Sequence, residues 1–508
     1  MKKPIKIVCS FAAACAVFTA AMPLTACSKN SNELVLRVSN WEEYIDLGGW
    51  ADDELIEIDN PYSDDGGVIG VNSMVDDFTA WFNSTHGYSV RVEYSTFGTN
   101  EDLYNRLNLG DTYDLVCPSD YMIMQLMREG RLEEYSDGFF DTETQTNYYI
   151  NNVSPFISQK FREFDTENKF AAGYMWGTTG VVYNPDSVDV EDVKSWNILR
   201  NSKYARQVTV KDNVRDSYFP ALGILNAETL LSGEGNADEL LNATDGETIE
   251  AALQILKEIK DNVYSFETDS GKADMITGKV VANYQWSGDA VFIMDEADDD
   301  ENNPTELWYS VPNECTNLWF DGWVMLKDGV GGDARKKEAA EAFVNFLSRP
   351  DNAVRNMYYI GYTSAIAGDA AGMIYNYIDY NYGVEEGDEE TVPYEYDLST
   401  FFGQPCSIMT DSSTLQFDGN KINRGRQLFA QYPPTNITER STIMLDFGDR
   451  LGAINQMWIN VRCLDVKDFN PAVVWSVVVI LVAATTAILL YKFRYQIFYR
   501  RPKEIEVN

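Results

Sequence analysis

Glu33-Leu34-Val35-Leu36-Arg37-Val38-Ser39-Asn40-Trp41-Glu42-Glu43-Tyr44 reads as a strand that stops abruptly. A short apolar run ends in an aromatic, two carboxylates and a second aromatic. In an open α/β sheet, ligands bind beyond the carboxyl ends of the strands. Trp41 to Tyr44 therefore stands where a binding site would form, and its chemistry suits a cation. Aromatic faces attract ammonium groups, and carboxylates pair with them. The same residues also suit a strand end with a core Trp and solvated glutamates, so the rest of the chain has to arbitrate.

Working outward, the pattern repeats. Val75 to Phe82 has helical spacing, and Ser89 to Tyr94 alternates as a strand. Thr99-Asn100-Glu101-Asp102 is a helix start, a capping residue followed by acids. Asp114 to Pro118 is a further strand, ending at Ser119-Asp120-Tyr121 and a helix that runs to about Glu129. Strands alternating with helices indicate a mostly parallel sheet and an α/β fold. Gly173-Tyr174-Met175-Trp176-Gly177 precedes a strand at Val181 to Tyr183. Gln207 to Val210 runs into Lys211-Asp212-Asn213-Val214-Arg215-Asp216, and Val281 to Trp286 ends at Ser287-Gly288-Asp289. Leu318-Trp319-Phe320-Asp321 is the next such junction. Aromatics and acids gather wherever strands stop. Asp295 to Asn303 reads as a solvated acidic loop, Ala334 to Asn352 as one amphipathic helix, and Tyr375 to Tyr396 as an acidic, tyrosine-rich surface insertion.

The totals bound the rest. A chain of 508 residues is too long for one core and suits two or three lobes. Lys plus Arg number 40 against 79 Asp plus Glu, a formal net charge of −39. Such a charge repels nucleic acid and anionic lipid headgroups and is compatible with a cationic ligand. One histidine, His86, makes a histidine-rich metal site or a Ser-His-Asp triad improbable, and there is no G-x-x-x-x-G-K-[ST] phosphate loop.

Both ends carry membrane signals. Met1 to Lys6 is basic, Ile7 to about Pro23 is apolar, and Leu24-Thr25-Ala26-Cys27 follows. These are the parts of a signal peptide, and the ending resembles a bacterial lipobox, in which Cys27 is lipidated. Pro471 to Leu490 has no charged residue, and at ~1.5 Å per residue it would span a ~30 Å hydrocarbon core. Lys492, Arg494, Arg500, Arg501 and Lys503 follow, which places the tail inside and the main domain outside. Cys117, Cys315, Cys406 and Cys463 remain in the exported part, as free thiols or in any of three pairings.

Taken in order, these stretches resemble the bacterial polyamine-binding proteins, the spermidine and putrescine receptors of ABC importers. The resemblance is carried by Ser39 to Tyr44, Asp114 to Ser119, Tyr174 to Gly177, Trp286 to Asp289, Trp319 to Asp321, and Phe343 to Tyr362 with Asn345 to Pro350 inside it. It covers roughly Glu33 to Tyr362 and resumes near Met444 to Val461. It implies a two-lobed, type II periplasmic-binding-protein-like α/β fold with the ligand in the cleft between lobes, followed by the transmembrane helix. The implied division is a leader at 1–26, a tether at 27–33, lobe 1 at 34–177 and 320–400, lobe 2 at 178–319 and 401–465, a span at 471–490 and a basic tail at 491–508.

Carried over position by position, the resemblance implies that Trp41, Trp286, Trp319 and Tyr362 form aromatic walls, with further contacts from Tyr44 and Tyr121. Asp321 would bind one terminal ammonium with Asp216 near it, Glu43 and Asp289 would serve the other end, and Ser119 would add a hydroxyl or backbone contact. It implies permease and ATPase subunits as partners, with no cofactor, catalysis or nucleic acid. The chain departs from the pattern at Glu42, where Thr or Ser is usual, at Asn213, where the spermidine type has Asp, and at Leu445, near a usual Gln. Thr363 to Ser441 has no clear counterpart. An acid at Asp289 and a neutral Asn213 favour putrescine over spermidine. Other readings are the same fold holding a different organic cation, and a glycosidase using paired carboxylates, whose separation would set its mechanism.

Overall fold

Leu34, Leu36 and Val38 alternate into the core along β1 (Glu33–Trp41). In the computed structural model, which describes residues 33–50, 56, 58–63, 67–68, 70–300, 303–384, 391–463 and the helix 471–498, β1 lies parallel between β2 (Ser89–Phe97) and β3 (Leu115–Val116). The leader, Cys27 and most of the tether fall outside the described residues. The remaining strands are β4 (Leu132–Glu133), β5 (Ala171–Tyr183), β6 (Val208–Lys211), β7 (Ser265–Glu267), β8 (Ala282–Trp286), β9 (Trp308–Ser310), β10 (Thr316–Leu326), β11 (Thr363–Ser364), β12 (Pro393–Asp397), β13 (Ser407–Asp411), β14 (Leu415–Asp418), β15 (Lys421–Gly425) and β16 (Ser441–Thr442). Among the described residues, only β12 and β13 stand apart from one continuous sheet, whose main path is β14-β15-β9-β5-β10-β3-β1-β2.

Two strands unite that sheet. β5 and β10 are buried at every position and run antiparallel to each other, with the polar Thr178, Thr179, Asn317 and Asp321 buried among their apolar residues. One end of β10 continues to β3 and β4, while the far end of β5 pairs with β8 and β9. Around the first end packs a core that includes Leu36, Val38, Phe78, Val116 and Phe343. Around the second packs another, with Val208, Val210, Leu222, Leu256, Tyr284 and Ile454. The molecule is therefore two-lobed, with two long strands passing from one α/β lobe into the other.

Three local expectations are corrected. The helix expected over Ala334 to Asn352 is two, Ala334–Leu347 and Pro350–Ile360, because Pro350 lacks a donor for a continuing helix but fits a first turn. The acidic run from Asp295 begins inside the helix Ser287–Asp298, where Gln427 Nε2 donates to Asp295 at 2.8 Å and Arg426 pairs with Asp298. The tyrosine-rich stretch is not a surface appendage: Tyr377, Ile378 and Tyr396 are buried in the first core. Cys117, Cys315, Cys406 and Cys463 are free thiols.

The expected span Pro471 to Leu490 lies on a 28-residue helix, Pro471–Phe498. Among the described residues, no helix is long and apolar enough to cross a membrane.

Candidate functional site

Asp321 sits where the two central strands slip. β10 and β5 pair through Phe320↔Trp176 and resume at Gly322↔Gly173, so Asp321 alone stands opposite Met175 and Tyr174, and the extra residue of this bulge lies on β5. Asp321 bridges to Ser119 instead. Its carboxylate accepts hydrogen bonds from Tyr44 Oη and Ser119 Oγ, both at 2.7 Å. Burial pushes its pKa up to about 6, against the two hydroxyl donors, which act to lower it.

The surrounding turns explain how these groups meet. Glu43 takes a left-handed φ of 52°, which folds the chain back and buries Tyr44, and Asn40 Nδ2 pins the turn by donating to Tyr44 O at 3.0 Å. Ser119 opens the helix Asp120–Arg128, and its amide donates to Asn100 Oδ1 at 3.1 Å. Asn100 Nδ2 lies 3.1 Å from Ser119 Oγ and 2.9 Å from Tyr121 Oη. Beside them Asp120 accepts from the amides of Tyr121 and Phe320, and burial pushes its carboxyl up to about 8.

Aromatic rings extend from this pole. Tyr362 meets Tyr44 edge-on at 5.6 Å and Trp319 at 5.5 Å between centroids. Tyr362 emerges from the helix Pro350–Ile360 through Gly361, whose φ of 79° is the usual helix-ending conformation. Its ring lies so close over Gly288 that a Cβ there would sit 1.8 Å from Tyr362 Cδ1. Half-buried Trp41 packs against Phe97 at 4.8 Å.

The opposite pole gathers around Asp289, in the first turn of the helix Ser287–Asp298. Tyr362 Oη donates to Asp289 Oδ1 at 2.7 Å, and Lys272 Nζ and Lys211 Nζ approach the two carboxylate oxygens at 3.6 and 3.9 Å. Lys211 Nζ lies 4.0 Å from the centroid of Trp286. Asn213 caps the helix Val214–Leu225, accepting from Asp216 N at 2.8 Å, and its amide bonds the Asp216 carboxylate. Burial raises the Asp216 pKa, opposed by Asn213, Lys211 and Trp286. The Arg215 guanidinium is held between the rings of Tyr121 and Phe447, at 3.9 and 4.0 Å. Glu43 is exposed, and its charge is felt at Lys272.

The structure thus joins Tyr44, Ser119, Asp321, Trp319 and Tyr362 directly, and Tyr362 to Asp289. Trp286 and Asp216 stand together around Lys211. Sequence reasoning missed Asn100, Asp120, Lys211, Arg215 and Lys272. Only Lys211 carried a signal, a basic residue closing the otherwise uncharged run Gln207 to Val210.

A family model described as bacterial extracellular solute-binding protein matches residues 73–372. The spermidine/putrescine-binding periplasmic protein of Escherichia coli (strain K12) is 31% identical over 275 residues, covering 54% of this chain and 70% of that protein. Its counterpart in Salmonella typhimurium (strain LT2) is 30% identical over 275 residues with the same coverage, 54% and 70%. The putrescine-binding periplasmic protein PotF of Escherichia coli (strain K12) is 25% identical over 287 residues, 54% of this chain and 71% of that protein. In fold, the chain is similar to the TpPotD lipoprotein of Treponema pallidum, with a TM-score of 0.55 at 18% identity, covering 84% of this chain and 99% of that one. It is likewise similar to the Streptococcus pneumoniae PotD substrate-binding protein, with a TM-score of 0.54 at 23% identity, covering 84% and 98%.

Proposed function

The chain belongs to the bacterial extracellular solute-binding proteins, and we propose that it is the surface receptor that captures a polyamine, putrescine or spermidine, for an ABC importer. The observation that carries this is Asp321, a buried carboxylate held by two hydroxyls beside the Tyr44, Tyr362 and Trp319 rings. A terminal ammonium brings three donors and no acceptor, so an acceptor-only carboxylate suits it. The alkyl chain suits the aromatic walls. The names of the relatives point to the same ligands.

In this reading Asp321 takes one ammonium, with Tyr44, Ser119 and Tyr121 around it and Trp41 at the rim. Asp289 takes the other end, with Glu43, Asp216 and Trp286 nearby. The protein is a binding protein and not an enzyme, and it delivers the ligand to separate permease and ATPase subunits. Lipid on Cys27 would hold it to the outer face; no described helix is long and apolar enough to cross a membrane, so a second anchor at Pro471 to Leu490 with the basic tail inside rests on the uncharged sequence alone.

Isothermal titration of the full chain with putrescine, cadaverine, spermidine and spermine tests the function, and dissociation constants at or below micromolar are expected. No heat and no thermal shift with any of the four would remove the proposal, and turnover of a glycoside would replace it with the hydrolase reading. Metabolic lipid labelling that depends on Cys27, and protection of a tag after Asn508 from protease in intact cells, test the anchors.

A further inference from the structure

We infer that Lys211 is a resident cation that fixes how many ammoniums the cleft accepts, so that this receptor takes a diamine in preference to a triamine; this rests on the polyamine reading above. Lys211 is the last residue of β6, and its parallel register sets it opposite Glu267 on β7. Its side chain is 1% exposed. Nζ donates to the Thr268 carbonyl at 2.9 Å, lies 4.0 Å from the Trp286 centroid, and stands 4.0 Å from Glu267 Oε1 and 3.9 Å from Asp289 Oδ2. Burial lowers its pKa, and the charges of Asp289, Glu267 and Asp216 act against that to keep it protonated. A carbonyl, an aromatic face and carboxylates are the partners a ligand ammonium needs. The protein fills that position with its own side chain.

Lys272 behaves differently. Its side chain is 29% exposed, and it reaches Asp289 Oδ1 at 3.6 Å. A partly exposed lysine swings into water at little cost, so Asp289 exchanges Lys272 for an ammonium from the ligand. Lys211 has no such exit. Two ligand ammoniums are thereby accommodated, one at Asp321 and one at Asp289. A third, carried further along the cleft, meets Lys211 on the face of Trp286, and like charges at that range repel. The specificity of the site is set by a cation the ligand cannot displace.

Calorimetric competition between putrescine and spermidine on the full chain, on Lys211→Met and on Lys211→Arg tests this. The parent is expected to prefer putrescine at least tenfold. Lys211→Met, similar in shape but uncharged, is expected to raise spermidine affinity relative to putrescine tenfold or more. Lys211→Arg, which restores the charge, is expected to restore the preference. A parent that prefers spermidine or binds both alike overturns the inference, as does a Lys211→Met variant that changes both affinities by one factor. If Lys211→Met fails to fold, Lys211→Gln, which also removes the charge, takes its place, and a Lys211→Gln variant with the parent's ratio overturns the inference. A parent that binds neither amine instead removes the polyamine reading itself.

Discussion

Asp321 shows how one carboxylate links binding to pH. It is 5% exposed, and burial moves its pKa from the usual 3.8 to about 6. A ligand ammonium needs the ionised form. Affinity for a diamine is therefore expected to be flat above pH 7 and to fall below pH 6, approaching about tenfold per pH unit as one proton must be released on binding. Titrations in buffers of different ionisation enthalpy measure that proton. The effect on stability has the opposite sense. Because the folded-state pKa is raised, the contribution of Asp321 to the unliganded protein is fully present below the unfolded value and is lost as pH rises through about 6. The thermal shift produced by ligand is thus expected to be larger at pH 7.5 than at pH 5. Asp321→Asn keeps the shape and removes the charge. It is expected to weaken binding by ~2–5 kcal/mol, the usual result when one partner of a buried charge pair is lost. Binding like the parent would show that the ammonium sits elsewhere.

At the scale of elements, the geometry depends on how the helix Pro350–Ile360 is fixed to the turn after β1. Arg355 does this. Its guanidinium bonds the Asp46 carboxylate and the Asn72 carbonyl, and reaches Asp77 at 2.6 Å, while Asn356 Oδ1 accepts from Asp46 N at 3.0 Å. The Asp46 side chain is fully buried and that of Arg355 5% exposed. This clamp sets Tyr44, two residues before Asp46, against Tyr362, two residues beyond the helix. Arg355→Met would leave a buried carboxylate without its cation, a change of ~3–5 kcal/mol. At ~2–4 °C per kcal/mol, thermal unfolding followed by circular dichroism is expected to drop by about 10 °C; a midpoint within a degree of the parent would show that the clamp does not hold the fold. The sequence showed the strands and the residues at their ends, because apolar runs and the polar groups after them are local features. It did not show the bulge opposite Asp321, since a register slip belongs to β5 and β10 jointly. Nor did it show that Lys211 is buried, because a basic residue at a strand end reads as solvated until Glu267 and Asp289 are seen beside it. The tyrosine-rich insertion misled for a similar reason. Tyr382 and Tyr396 bury their rings while their hydroxyls donate to Gln431 and to the Tyr432 carbonyl, at 2.8 and 2.7 Å, so composition alone suggested a wet surface.

Across the whole molecule, binding is a matter of two lobes and one field. β5 and β10 connect the lobes, and Arg215 to Tyr121 and Arg128 to Asp446 reach from one core to the other. The chain carries a formal net charge of −39, far more negative than a buried site for two ammoniums needs for affinity. Surface charge of one sign acts instead on approach, drawing a cation toward the cleft and raising its encounter rate. The screening length falls from ~30 Å at 0.01 M salt to ~3 Å at 1 M, so this attraction is lost as salt rises. The contacts at Asp321 are inside the protein and are screened far less. Stopped-flow measurements of tryptophan fluorescence, with Trp286 and Trp319 beside the site, are therefore expected to show the association rate of putrescine falling steeply with salt while the dissociation rate changes little. A salt-independent association rate would mean that the negative surface has no part in capture, and a dissociation rate rising in step with salt would mean that the ammonium is held by exposed acids such as Glu43 rather than by Asp321.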